Sequence, residues 1–463
     1  MPTRPPQVSA LAPGHRRLVL AGMCLALVAI AAPARAAGSR APVTTRIVVG
    51  YATRARSADA STSDEGVRTR VVPLSPGANL DSTLRHLRAQ PGVSWAVPDY
   101  RAHTAEALLP DDEGAGKAAG DWQALQWNFS GTFGVEAPEA WGNLIADGEP
   151  GGRGVVVAVL DTGVAYADRG RFRRSPDFSR FTFVKGYDFV SHDPYPNDHN
   201  GHGTFVASTI AEQTNNAIGL TGLAYGARIM PVRVLDSEGE GEASTIAEGV
   251  YFAVRHGAQV INLSLEFSPG VTAADIPELI EALHYAHRHN VLVIAAAGNE
   301  GHAAIAYPAR APDVMSVGAT TEHGCLAAYS NDGSGLSIVA PGGGPDADLP
   351  GDPNCRPEEP GRDIFQVTFT GNSPDRFGIP NGYEGTSMAT PHVAATAALV
   401  IASGVLGTHP TPAALIARLR ATARKLGGGG DERLYGAGLL DAGAATAPGG
   451  PGAVTPVAPT LQG

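Results

Sequence analysis

From Val155 onward the chain repeats one pattern: a short, nearly continuous apolar run, a polar loop, then a stretch with helical spacing. The runs are Val155 to Leu160, Ile229 to Leu235, Val260 to Leu265, Val291 to Ala297 and Val314 to Val317. A strand with one wet face alternates apolar and polar residues, whereas a near-continuous apolar strand is covered on both faces. That requires a parallel sheet between layers of helices. The expected fold class is therefore α/β, a mostly parallel, doubly wound sheet flanked by helices. Ligands of such sheets bind beyond the carboxyl ends of the strands, so the polar residues at those ends are the candidates for function.

The region before this pattern divides into three. Residues 1–36 read as an export signal: Arg4, Arg16 and Arg17 precede an apolar stretch from Leu18 to Ala32, and Ala34-Arg35-Ala36 offers a small-x-small cleavage site. The stretch is shorter than the roughly 20 apolar residues a membrane span needs, so a soluble mature protein is expected. The Arg16-Arg17 pair leaves Sec and twin-arginine routes both open. Residues 37–105 hold a small α+β unit, with strands over Arg46 to Tyr51, Val71 to Leu74 and Val93 to Val97. Leu80, Leu84 and Leu87 recur at helical spacing in a segment ended by Pro91-Gly92. Residues 106–120, with Asp111-Asp112-Glu113, read as a polar linker; residues 448–463, rich in Ala, Pro and Gly, read as a flexible tail. The main domain is then 121–447.

Charge excludes some functions. From Asp121 to the end there are 20 Lys and Arg against 36 Asp and Glu. An acidic body repels nucleic-acid backbones and anionic lipid, so neither is expected as a partner. Of three cysteines, Cys24 lies in the apolar N-terminal run, and no CxxC or Cys/His cluster offers a zinc site. Cys325 and Cys355 are an even pair able to close a loop if the body reaches an oxidising compartment. Two unpaired thiols are the alternative; the disulfide is the expectation.

Four strand-end residues carry the chemistry. Asp161 directly follows the first run in VAVLDTG, and His202 opens a helix in NGHGTFVASTIAEQ between Gly201 and Gly203. Asn299 ends LVIAAAGNE, and Ser387 stands in EGTSMATPHVAATAALV at the start of an Ala-rich helix that accommodates Pro391. Each alone has a bland reading: a turn Asp, a structural His, a turn Asn, an N-cap Ser. Together they supply an acid to fix an imidazole tautomer, an imidazole to take a hydroxyl proton, and a hydroxyl to attack a carbonyl. The amide and the Ser387 N–H at the helix start would hold the developing oxyanion. The order Asp, His, Ser is that of subtilisin, and the absence of Gly-x-Ser-x-Gly around Ser387 disfavours an α/β-hydrolase esterase.

In VAVLDTGVA, HGTFVA, AAAGNE and GTSMATPHVA the chain resembles the subtilisin-like serine proteases over about Gln126 to Ala445. The resemblance implies a secreted serine endopeptidase acting on peptides, extracellular or periplasmic, with Asp161 as orienting acid, His202 as base, Asn299 as oxyanion donor and Ser387 as nucleophile. Residues 44–105 resemble the family's inhibitory prodomain, which implies a monomeric proenzyme processed near Ala105-Glu106, its prodomain acting as intramolecular inhibitor. A catalytically silent binding protein of the same fold and a narrow processing protease are the alternatives.

The resemblance further implies that substrate pairs with Gly239-Glu240-Gly241 and Ser264-Leu265-Glu266 as an added strand. Glu266 stands where the family usually has Gly, and Phe205 replaces the common His of HGTH. With Glu238, Glu240 and Glu242, Glu266 either favours basic substrates or narrows the pocket for small residues; a Glu turned to solvent is the third reading. Calcium is the implied cofactor. Asp177, the Asn216 side chain, the carbonyls of Gln213, Ile218 and Leu220, and Asp121 are the implied ligands, all oxygen donors suited to a hard cation. Asp188, Asp193 and Asp198 form either a second site or an acidic solvated loop.

Overall fold

The computed structural model describes residues 46–51, 68–74, 79–99, 108–116, 118–371, 373–381, 383–427, 431–449 and 451–452. The export segment, the expected cut at Ala105-Glu106 and the tail beyond residue 452 lie outside the described residues. The chain forms two compact units, Met1–Ala102 and His103–Gly463.

In the first unit β1 (Arg46–Tyr51) lies between β2 (Arg68–Pro73) and β3 (Val93–Pro98), antiparallel to both. Helix α1 (Leu80–Arg88) begins at Asn79, whose side chain accepts from the Ser82 N–H at 3.0 Å, the usual remedy for an unpaired amide at a helix start. Alternate residues of β1, Ile47 and Val49, meet Leu84, Leu87 and Ala96 in a small core. The strands and helix stand where periodicity places them, except that the second strand begins at Arg68.

The second unit opens with α2 (Trp122–Leu125), α3 (Trp127–Ser130) and α4 (Ala137–Ala146). Its sheet strands are β4 (Val156–Asp161), β5 (Tyr187–Asp188), β6 (Arg228–Arg233), β7 (Val260–Leu263), β8 (Leu292–Ala296), β9 (Val314–Thr320) and β10 (Ile338–Pro341). Between them run α5 (His202–Ala211), α6 (Ala243–Arg255) and α7 (Pro277–Arg288). A short ribbon of β11 (Thr368–Phe369) and β12 (Phe377–Gly378) precedes α8 (Thr386–Ser403), α9 (Pro412–Thr422), α10 (Glu432–Tyr435) and α11 (Ala442–Thr446). All pairings in the seven-stranded sheet are parallel, in the order β10-β9-β8-β7-β4-β6-β5. Strand β5, two residues long, is too short to stand out in the apolar pattern; β10, four residues long and buried throughout, is not among the runs read from the sequence.

The strand order places the site. From β4 the chain reaches β6 on one side, then returns to β7 on the other. The loops leaving β6 and β7 therefore part above β4, opening a crevice at the carboxyl edge, as in other doubly wound sheets. Helix α8 runs through the apolar interior, buried from Met388 to Ile401. A helix with apolar residues on all sides is stable only when enclosed.

The Cys325 and Cys355 sulfurs are bonded, joining the loop after β9 to the loop after β10. No helix among the described residues is long and apolar enough to cross a membrane.

Candidate active site

Asp161 is the last residue of β4 and fully buried. Its Oδ1 and Oδ2 lie 2.8 and 3.0 Å from Nδ1 of His202, the first residue of α5. Oδ1 also accepts from the Thr162 N–H at 2.7 Å. With the carboxylate as acceptor, Nδ1 carries the proton and Nε2 is the basic nitrogen. The approach of helix to strand needs Gly203, because a Cβ there would lie 2.1 Å from the Gly163 carbonyl and 3.0 Å from Asp161 Oδ1. Burial of the His202 ring opposes protonation. The Asp161 charge, its hydrogen bond and the Asp198 charge outweigh that, holding the pKa above the ordinary value.

Ser387 is the second residue of α8. Its hydroxyl donates to the Ser264 carbonyl at 3.1 Å, and the Ser264 hydroxyl donates to the Ser387 carbonyl at 2.8 Å. The serine hydroxyl thus donates to the start of the loop after β7 and not to His202. Both side chains nevertheless line one cavity of about 650 Å³. Gly239, Glu240 and Gly241 line it from the loop after β6, and Ser264, Leu265 and Glu266 from the loop after β7.

Asn299 lies three residues beyond β8. Its Oδ1 accepts from the Thr386 N–H and hydroxyl at 2.8 and 3.0 Å, which fixes the amide and points Nδ2 the other way. Nδ2 donates to Glu266 Oε1 at 3.0 Å and the Asn299 backbone N–H donates to Oε2 at 3.2 Å. Glu266 is therefore not turned free into solvent. Burial, and next the neighbouring Glu300 carboxylate, push its pKa up to about 7. Phe205 is buried and stacks on Tyr383, ring centroids 4.2 Å apart.

The calcium residues are brought together in part. Asp177 is buried; its Oδ1 accepts from Asn216 Nδ2 at 2.9 Å, its Oδ2 from the Leu220 N–H at 3.0 Å, and its carbonyl from the Gln213 N–H at 2.8 Å. The N–H of Ile218 donates to Asn216 Oδ1 at 2.9 Å. Asp121 does not take the expected place: its carboxylate lies against Gly116. Asp112 sits beside the loop instead, accepting from the N–H groups of Asn215 and Asn216, both at 2.9 Å. The reason is that the segment expected as a linker packs down here, Gly114 donating to the Gly219 carbonyl at 2.7 Å. Glu212, fully buried, lies beside Asp177 and Asp112. Burial raises Asp177 to about 8, and burial with Asp177 and Asp112 nearby raises Glu212 strongly. Asp112, Asp177 and Glu212 are buried carboxylates near one loop of oxygen donors, a charge that a hard cation would neutralise, so the donor set fits calcium.

Asp188 and Asp193 exchange backbone hydrogen bonds, but their carboxylates and that of Asp198 serve different partners. Asp188 pairs with Arg233 at 2.9 Å, Asp193 accepts from the Tyr195 N–H, and Asp198 anchors the start of α5. Asp198 is the functional neighbour that sequence reasoning misplaced. Buried four residues before His202, it accepts from the Asn200, Gly201 and Thr204 N–H groups and from the Thr162 and Thr204 hydroxyls. An acid just ahead of a helix start was the available signal.

The model that describes the subtilase family matches residues 152–438. The thermophilic serine proteinase of Bacillus sp. strain AK1 is 35% identical over 347 residues, 75% of this chain and 72% of that protein. Subtilisin BL of Lederbergia lenta is 38% identical over 324 residues, 70% of this chain and 99% of that protein. Among solved structures, a protease of Pseudoalteromonas arctica PAMC 21717 superposes with a TM-score of 0.58 at 29% identity, covering 73% of this chain and 99% of the other. By sequence, strand order and site architecture, this chain belongs to the subtilase family of subtilisin-like serine proteases.

Proposed function

We propose that the protein is a secreted serine endopeptidase made as a proenzyme, with Ser387 as nucleophile, His202 as base, Asp161 as orienting acid and Asn299 as oxyanion donor. The observation that carries this reading is the 2.8 Å contact of His202 Nδ1 with buried Asp161, in a cavity that Ser387 also lines. A peptide carbonyl enters beside Ser387. The hydroxyl leaves Ser264, gives its proton to His202 Nε2 and attacks, while Asp161 stabilises the imidazolium. Charge on the carbonyl oxygen falls to Asn299 Nδ2 and the Ser387 N–H at the positive end of α8. His202 then protonates the leaving amine, and water repeats the sequence to release the acyl group.

The bonded cysteine pair supports passage through an oxidising compartment, and the α+β unit built from β1, β2, α1 and β3 supports a prodomain cut off near Ala105-Glu106. Calcium, which suits subtilases in general, would be held by Asp177, Asn216 and the carbonyls of Gln213, Ile218 and Leu220, neutralising the buried carboxylates and stiffening the loop. Peptides are the substrates and the prodomain the internal inhibitor.

Mass spectrometry of secreted wild type beside Ser387→Ala tests export, processing and catalysis together. Wild type is expected to start within several residues of Glu106. The variant is expected to accumulate as precursor, with turnover reduced roughly a million-fold by analogy with subtilisin. Secreted product beginning before residue 95 or after 125, or a Ser387→Ala variant processed normally, overturns the proenzyme reading.

A further inference from the structure

In the resting cleft, the amide assigned to receive the oxyanion already holds a carboxylate. Asn299 donates to Glu266 through both Nδ2 and its backbone N–H, at 3.0 and 3.2 Å. The fit is built into the chain: Gly298 has φ +114°, and a Cβ there would stand 2.5 Å from Glu266 Oε2. A transition-state oxyanion and an ionised Glu266 cannot share this donor, because two negative charges on one amide repel and one of them loses its hydrogen bond. Where Glu266 is ionised, it has to be given another partner before Asn299 can act.

The rest of the cavity indicates which partner. Glu238, Glu240 and Glu242 line it from the loop after β6 and Glu266 from the loop after β7, while no Lys or Arg is among the lining residues. Glu300 lies beside Glu266 and raises its pKa further, a second carboxylate with its Oε2 held by Asn331 Nδ2 at 2.6 Å. A cleft with one sign of charge concentrates counter-ions and gives little to a neutral or anionic side chain. Moreover, the carbonyl that would be held by Asn299 belongs to the residue before the cut, which brings that residue close to Glu266, the hydrogen-bond partner of Asn299.

We propose that Glu266 determines specificity by pairing with an arginine or lysine side chain immediately before the scissile bond, and that this pairing draws its carboxylate off Asn299 and frees the amide for catalysis. The inference rests on the roles proposed above for Ser387 and Asn299, and deepens them by naming the substrate class. A cationic residue contributes twice. It forms a charge-assisted contact with a partly desolvated carboxylate, and it completes the oxyanion site. A neutral residue leaves Glu266 where it is, so its penalty falls on kcat as well as on KM.

The test uses the processed enzyme and a matched set of peptides that differ only in the residue before the cut: arginine, lysine, citrulline, alanine and phenylalanine. Citrulline keeps the shape of arginine without its charge. In wild type, kcat/KM for arginine is expected to exceed that for citrulline about 10- to 100-fold, with part of the ratio in kcat. In Glu266→Ala and Glu266→Gln the ratio is expected to fall to within about threefold, through slower cleavage after arginine and a higher kcat after alanine and phenylalanine. Two variants are used because Glu266→Ala also removes packing; fluorophosphonate labelling of Ser387 identifies folded enzyme in each. Labelled wild type that prefers phenylalanine, or an arginine-to-citrulline ratio that survives in either labelled variant, overturns the role of Glu266 alone. Wild type that takes no label overturns the reading of Ser387, and this inference with it.

Discussion

The Thr162 hydroxyl, one residue past the end of β4, donates to the Asp198 carboxylate at 2.9 Å, and through it the strand bearing Asp161 is tied to the helix bearing His202. Asp198 completes the tie by accepting from the N–H and hydroxyl of Thr204 within α5, the first at 2.9 Å and the second at 2.5 Å. Asp198→Asn keeps the shape and removes the charge and one acceptor site. It should destabilise the protein by about 1–3 kcal/mol, since a buried donor loses its partner. Asp198 also helps hold the His202 pKa up, so the acid limb of kcat/KM should move to lower pH. A variant that is less stable but has an unmoved pH profile would reduce Asp198 to a structural anchor.

Asp161 makes the larger contribution to the same equilibrium. The base must be neutral, so activity should rise with pH through a His202 pKa held above its ordinary value. Asp161→Asn removes the charge and favours the wrong tautomer. Turnover should fall by roughly ten-thousand-fold, and the residual activity should show its acid limb at lower pH. A residual profile shifted toward higher pH would contradict the assigned pairing.

Closing the Cys325–Cys355 loop, a separation of 30 residues, restricts the unfolded chain. In the chain-entropy account that is worth about 3–4 kcal/mol. Replacing both cysteines by serine should lower the melting temperature by roughly 5 °C. Fluorophosphonate labelling should persist, as neither cysteine lines the cleft. Equal melting temperatures for wild type and the double variant would show that the bond constrains nothing.

Chelation provides a fourth test. If calcium is held at about 100 times its Kd, it stabilises by about 2.7 kcal/mol, so excess chelator should lower the melting temperature by roughly 4 °C. Asp177→Asn should melt lower than wild type and respond little to chelator. An unchanged wild-type melting curve would remove calcium from the account.

Local pattern carried much of this protein. The apolar runs from Val155 onward were enough to identify strands covered on both faces, because burial on two sides leaves a composition that any reader of the chain can see. Asp161, His202, Asn299 and Ser387 were legible because each stands at a strand end or helix start marked by glycine. Strand β5 was not, being too short to leave a pattern, and β10, as long as β7, was missed although its residues are apolar.

What the sequence could not determine depends on residues far apart along the chain. Asp112, in a run that reads as a solvated linker, is buried against Asn215 and Asn216 more than a hundred positions away. Glu266 takes its meaning from Asn299, 33 positions on, and Asp198 from Thr162, 36 positions back. Apolar periodicity is set by which face a residue shows to the core, and that is a local property. The partner of a buried charge is set by where the reversal of strand order at β4 brings separate loops together, which only the folded chain decides.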